Sequence, residues 1–315
     1  MVDNPTVKPA VRTEDLRAAF GPGLRFDYPL APLTSYKTGG PARYFISAGS
    51  ADDIVHAVDA ARRLGIPYFL IGGGSNLLVS DSGFDGLIIK VDVLGIHLIG
   101  RDEIDCGAGE ELMALVKFAA DHALTGLEFA AGIWGSVGGA LYGNAGAFGG
   151  EIGSIVRELT LVDVAGKVKV VGPEYCRFAY RDSLLKKTRE VVARARFSLQ
   201  SGDQAAIRAR VNEILQLRDG KHPNTGMSAG CFFKNIPDPS QPFGKLPAGR
   251  LLEEAGAKQL HVGKAKVFEK HANIIVNTGG ATSREIRELA DLMKQRVRDK
   301  FHIELEEEVI QVGSI

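Results

Sequence analysis

Apolar positions along this chain switch repeatedly between strand-like runs and helical spacing. Residues 42–48 (ARYFISA) predict a strand, after twenty residues that predict a short helix or a partly ordered arm. Ser50 with Asp53 predicts a capping box ahead of Ile54, Val55, Val58, Ala61 and Leu64, which share one helix face. Gly65 ends that helix, 67–71 (PYFLI) predicts a buried strand, and 86–91 (GLIIKV) predicts another. A compact unit with a β-α-β passage results. Farther on, 104–106 is strand-like, and 110–123 places Leu112, Leu115, Val116 and Ala119 on a helical stripe. Residues 159–164 and 168–171 flank Ala165-Gly166 as a hairpin. Residues 190–199 predict a strand with Val192, Arg194 and Arg196 opposite Val191, Ala193, Ala195 and Phe197.

The remaining third begins with a helix over 203–218 carrying Ile207, Val211, Ile214, Leu215 and Arg218. A short helix over 250–255 stops at Gly256, and 272–276 predicts a strand. Thr282 and Glu285 box a long helix with Ile286, Leu289, Ala290, Met293 and Val297 on one face, and 306–312 is a last short strand. Strands and helices mix without strict alternation, so the pattern predicts several α+β domains instead of one doubly wound sheet.

Composition narrows the function. Of 315 residues, 45% are apolar and 24% charged, enough for a full core and unlike a disordered chain. Lys and Arg number 38 against 38 Asp and Glu, so the whole chain has no electrostatic footprint for nucleic acid or an anionic membrane. Cys106, Cys176 and Cys231 form no CxxC pair, and the first twenty residues carry Asp3, Lys8, Arg12, Glu14, Asp15 and Arg17 where a leader would need an apolar run. A reduced, cytoplasmic protein is the simplest reading. Residues 129–150 lack any charge and contain Gly135-x-x-x-Gly139, a spacing of membrane helix pairs, yet eight of the 22 are glycine. So much glycine opposes both helix and insertion, and a glycine-lined ligand loop is the better reading.

Standard nucleotide motifs are missing. No G-x-G-x-x-G occurs, and the Gly-Lys pairs are followed by Val168, His222, Leu246 and Ala265, never Ser or Thr. The histidines are dispersed without metal spacing, so no metal is expected. Two glycine loops remain: Gly72-Gly73-Gly74-Ser75-Asn76 after an apolar strand, and Gly135-Ser136-Val137-Gly138-Gly139 with Asn144 and Gly146. Either alone fits a tight turn equally well. Together they suggest a pyrophosphate gripped from both sides.

The order YKTGGPA (36–42), GGGSNLLVSD (72–81), GSVGGA (135–140) with NAGAFGGEI (144–152), YRDS (180–183), SAGCFFKN (228–235), EKHANIIVN (269–277) and LEEEV (305–309) resembles the UDP-N-acetylenolpyruvoylglucosamine reductase (MurB) family. The resemblance implies a non-Rossmann FAD cradle of the PCMH/VAO type with a C-terminal α+β substrate domain. Its lobes would be 1–88 (with 306–315 returning to it) and 89–200, with 201–305 binding substrate. It further implies non-covalent FAD, NADPH as co-substrate, and reduction of the enolpyruvyl ether of UDP-N-acetylglucosamine enolpyruvate to the D-lactyl ether in peptidoglycan precursor synthesis. The partners would be these small molecules alone, with no nucleic acid or membrane, and the chain a monomer.

By the same resemblance Thr38, Gly72, Gly73, Gly74, Ser75, Asn76, Gly135, Ser136, Val137, Asn144 and Gly146 would hold FAD, and Tyr180, Lys221, Asn235 and His271 the substrate or co-substrate. A structural histidine fits His271 equally well. Arg181 would stabilise the substrate carboxylate, with Glu308 assisting there, its pKa raised by burial and a neighbouring carboxylate. Alternation sets Glu307 on the face opposite Glu306 and Glu308. Cys231 stands where the family commonly has its proton-donating serine, which predicts sensitivity to thiol reagents. Trp134 stands where the family usually has proline, and 182–229 contains no tyrosine, as in the shorter subtype without a tyrosine-bearing loop. The alternatives are another flavin oxidoreductase of this cradle acting on a hydroxyacid or lactone, and a non-catalytic nucleotide-binding regulator.

Overall fold

Four strands near the start of the chain build the first sheet, in the order β1-β2-β5-β3. The computed structural model describes residues 12–223, 227–241 and 244–315. The arm read before residue 12 lies outside them, and Thr13–Phe20 is helix α1. β1 (Arg25–Pro29) runs antiparallel to β2 (Pro41–Ala48), helix α2 (Ala51–Arg63) crosses to β3 (Tyr68–Ile71), and β4 (Leu77–Val79) leads to β5 (Phe84–Val91). β5 pairs parallel with both β2 and β3, as a β-α-β passage requires. Ser50 Oγ accepts from the Asp53 N–H, but the Asp53 carboxylate reaches past it to the Gly49 N–H, so the expected reciprocal box closes one residue early. β3, expected buried, is half-exposed along Tyr68–Leu70, because it is the sheet's edge and faces a cavity.

The second lobe is an antiparallel sheet of β6 (Ile96–Ile99), β7 (Glu103–Gly107), the hairpin β8 (Val156–Val162) and β9 (Val168–Val171), and β10 (Val191–Ser198), ordered β9-β8-β10-β7-β6. Along β10, Ala193, Ala195 and Phe197 are buried as the alternation predicts, while Val192 is buried on the other face. Helices α3 (Leu112–Asp121) and α4 (Val137–Tyr142) pack behind it, and one apolar core runs through both lobes. The charge-free stretch thus resolves into a six-residue helix between loops, started by Ser136 Oγ accepting from the Gly139 N–H. No helix among the described residues is long and apolar enough to cross a membrane.

Helix α5 (Gln204–Asp219) packs Val211 and Ile214 into the core of the first two lobes, beyond the expected boundary at residue 200. It leads to the third region, where α6 (Ala248–Glu254), a small sheet of β11 (His261–Val262), β12 (Ala265–Val267) and β13 (Ile275–Asn277), and α7 (Ser283–Phe301) share a second core. The Thr282–Glu285 box forms in full at α7. The strand read at 272–276 begins later, since Asn273 spends its carboxamide on both backbone groups of Phe233. Likewise only Ile310–Val312, β14, joins a ladder from the expected 306–312 strand. β14 runs parallel to β4 and so returns the chain end to the first lobe.

Side chains add to this docking. Both oxygens of Asp81 cap the N-terminus of α7, accepting from the Ser283 and Arg284 N–H groups, and Ser283 Oγ bonds the Val79 carbonyl, while Asn277 Nδ2 at the end of β13 donates to the Tyr36 carbonyl. We expect Asp81→Ala to cost about 1–2 kcal/mol of stability, the scale of a lost helix cap. A urea midpoint unchanged from the wild type would refute this accounting for the cap.

Candidate active site

The two glycine loops meet backbone against backbone. A Cβ at Gly73 would lie 2.7 Å from the Gly135 Cα, and one at Gly72 would lie 2.2 Å from Ser136 Oγ. Ser136 Oγ accepts from the Gly73 N–H at 3.2 Å, and Ser75 Oγ donates to the Trp134 carbonyl at 2.9 Å. With these contacts made, the N–H groups of Gly74, Ser75 and Asn76 donate to no protein acceptor among the described residues. They form a nest suited to an anion. The loops stand on the wall of a cavity of about 2250 Å³ that runs from Tyr68 on β3 to Cys231 and Glu308. That is well beyond the space a drug-sized ligand takes. A dinucleotide such as FAD fits this cradle by the free donors and by glycines whose Cβ atoms would close it.

At the far end, the turn 179–182 presents Tyr180 and Arg181. Ala179 and Asp182 exchange backbone hydrogen bonds, which forces Arg181 to φ +52°, a left-handed conformation unusual for arginine. The turn is braced: Asn144 Nδ2 donates to the Ala179 carbonyl, Ser183 Oγ to the Tyr142 carbonyl and Lys186 Nζ to the Arg181 carbonyl. Residues 306–308 pair with 232–234, as the Lys234 N–H donates to the Glu306 carbonyl and the Glu308 N–H to the Phe232 carbonyl. This pairing sets Glu308 beside Cys231. Asn76 Nδ2 donates to the Glu308 carbonyl, so the first glycine loop touches the same acid's backbone.

Arg181 Nε lies 2.9 Å from Glu308 Oε1, close enough for an ion pair but not aligned as a hydrogen bond. Burial raises the Glu308 pKa, against the opposing pull of Arg181, Lys186 and Lys234. The expected contribution of a neighbouring carboxylate is absent, because Glu306 pairs with Lys234 and Glu307 with Arg287 and Lys294. Burial, helped by Glu308, pushes the Cys231 thiol up to about 12, while Arg181 and Arg218 oppose. The thiol therefore stays protonated near neutrality, which works against the expected sensitivity to thiol reagents.

Cys231, Arg181, Glu308, Tyr180, Asn235, Asn144, Gly146 and both glycine loops through Ser136 line this one cavity. Asn235 Oδ1 also accepts from the Ala248 N–H, which anchors it. Four expected site residues do not line it. Thr38 is buried and bonded to Ser283 Oγ and Thr34 Oγ1, and Val137 is wholly inside the core. Lys221 points to solvent, and His271 stands behind His222 with ring centroids 6.0 Å apart.

Sequence reasoning missed Arg218, His222, Lys186 and Lys245, which do line the cavity. Arg218 continues the apolar stripe of α5, a sign that it turns inward, and its buried Nε has no hydrogen-bond partner among the described residues. Burial and the neighbouring Arg218 and His271 lower His222 to about 4, so it is neutral. Lys245 Nζ lies 3.3 Å from the centroid of the Tyr180 ring.

The profile for the C-terminal domain of UDP-N-acetylenolpyruvoylglucosamine reductase matches residues 222–312, and that of an FAD binding domain matches 42–172. The reductase of that name from Geotalea uraniireducens is 40% identical over 306 residues, 96% of this chain and 99% of its own length. Its counterpart from Clostridium novyi is 38% identical over 280 residues, 89% of each chain. The crystal structure of the reductase from Thermus caldophilus superposes with a TM-score of 0.77 at 33% identity, over 92% of this chain and 100% of that one.

Two measurements check the electrostatics. With its pKa near 12, Cys231 in the folded protein should react with iodoacetamide at pH ~7.5 about 10³-fold slower than glutathione, whose thiol resembles an unperturbed cysteine near 8.5. Peptide mapping that finds it alkylated at the glutathione rate contradicts the raised thiol pKa. For Glu308, the folded chain holds the proton more tightly than the unfolded one. Wild-type stability therefore falls as pH rises above about 4.3, the ordinary glutamate value, until the raised native value is passed. Glu308→Gln removes that loss, so its urea midpoint should gain on the wild type from pH ~4 to ~7. A difference constant with pH would show an ordinary carboxylate.

Proposed function

This chain belongs to the UDP-N-acetylenolpyruvoylglucosamine reductase family, and we infer that it reduces the enolpyruvyl ether of UDP-N-acetylglucosamine enolpyruvate to the D-lactyl ether of UDP-N-acetylmuramate. The reaction serves peptidoglycan precursor synthesis. FAD, bound without a covalent link and reduced by NADPH, supplies the hydride that adds to the vinyl carbon. The observation that carries the reading is the convergence of Cys231, Arg181 and Glu308 on the cavity walled by the paired glycine loops. Gly72–Asn76 and Gly135–Ser136 would hold the dinucleotide, their free N–H groups facing its diphosphate.

Hydride addition leaves negative charge spread into the substrate carboxylate. Arg181, with an Nε–H that no acceptor among the described residues engages, would meet that carboxylate with a donor poised before the charge develops. Glu308, its pKa raised by burial, can approach the same group as a neutral acid and donate a hydrogen bond where a carboxylate would repel. Cys231 gives its proton to the carbon bearing the carboxylate. A thiol near 12 remains a far stronger acid than that C–H, and the thiolate left behind is stabilised by Arg181 and Arg218. Tyr180 and Asn235 lie where the rest of the nucleotide sugar would extend, with Lys245 and Lys186 supplying positive charge beside them.

The chain is further proposed to act as a cytoplasmic monomer without nucleic-acid or membrane partners. The unpaired cysteines and zero formal charge support this reading, as does a reactive cluster drawn wholly from one chain.

Separating the half-reactions tests the assignment. Cys231→Ala should leave flavin bleaching by NADPH intact and slow reduction of the enolpyruvyl sugar by about 10²-fold or more, the scale of a lost general acid. Cys231→Ser should retain activity. Equal losses in both half-reactions would remove Cys231 from the protonation step.

A further inference from the structure

Trp134, the chain's only tryptophan, lines the cavity with 45% of its surface exposed. A large indole open on a cavity wall, and not on the outer surface, offers a face that a bound molecule can cover. Its backbone is held on both sides. Gly132 and Gly135 adopt φ +70° and +124°, the Trp134 carbonyl accepts from Ser75 Oγ, and a Cβ at Gly135 would lie 2.5 Å from that same oxygen. The indole therefore springs from the point where the glycine loops touch. The Arg218 side chain packs on Gly132, where a Cβ would lie 2.7 Å from its Cδ, and extends the wall toward Cys231.

We propose that Trp134 lies over the dinucleotide where its diphosphate runs between loops 72–76 and 135–139, covering the cavity mouth and slowing cofactor release. The proposal rests on the FAD reading above and deepens it. Covering that segment buries the open face of the indole and keeps water from the N–H donors of Gly74, Ser75 and Asn76, which strengthens their hold on a charged ligand. Trp134 takes no part in proton transfer, so its effect falls on binding.

The experiment uses the full chain stripped of flavin and titrated with FAD. Wild-type indole emission should be quenched as FAD binds, since the sole tryptophan would lie against it. Trp134→Ala should release FAD about tenfold faster or more, the scale of a lost aromatic stacking partner. Trp134→Phe should recover most of that, and both variants should keep the wild-type melting temperature. Release of FAD at the wild-type rate by Trp134→Ala, with unquenched wild-type emission, overturns this proposal and leaves the FAD reading standing. Failure of the wild-type chain to bind FAD at all overturns both.

Discussion

The site depends on two stretches of backbone touching with no side chain between them. Gly72 and Gly73 come against Gly135 and Ser136 so closely that a single methyl at either position would strike the other loop. Only glycine allows that approach, and its entropic cost is offset by what the approach creates. Each loop belongs to a different lobe, and one apolar core continues behind both. The contact therefore sets the spacing of the lobes as well as the row of donors. A charged diphosphate needs many N–H groups converging on a small volume, and a long side chain would pay more rotamer entropy to provide them.

Burial then does opposite things to the acids and the cations at the far end. It raises both Cys231 and Glu308, the two groups that are to give or share a proton. Arginine is the side chain least able to lose its charge in such surroundings, which suits it to a place beside these two acids. Lys186 and Lys234 add their charges around the same glutamate. A substrate carboxylate completes the cluster, and the ion pair of Arg181 with Glu308 is loose enough to make room, being misaligned as a hydrogen bond.

What could be read without coordinates follows the range of the forces involved. Local devices were legible: the Thr282–Glu285 box, the stop at Gly256 and the hairpin around Gly166 each depend on residues a few positions apart. Errors arose where a distant partner intervened. Asn273 spends its carboxamide on Phe233 and delays a strand, and the edge position of β3 opens it to the cavity. In the site, the motif residues on turns and loop tips, Gly72–Asn76, Gly135, Tyr180 and Arg181, do line one cavity, and it was the order of motifs along the chain, not any one glycine or arginine, that singled them out. Thr38 and Val137 belong to the same motifs but support the loops from behind, and a sequence does not separate a motif's inner face from its outer one. Arg218 was visible only as a charge on an apolar stripe.

The chain's last strand explains why so distant a glutamate can serve this cavity. β14 adds to β4 in the first lobe, and β4 directly follows the loop 72–76. Asn76 therefore bonds the Glu308 carbonyl with its side chain and accepts from the Ile310 N–H with its backbone, across more than two hundred residues of sequence. The loop that would hold the diphosphate and the segment that carries the acid are therefore bonded directly to each other. Arg181 sits on a strained turn braced independently from the second lobe through Asn144 and Ser183. The relative placement of acid and arginine is thus a direct consequence of how the two lobes meet, and the glycine contact that sets the cradle also sets the chemistry.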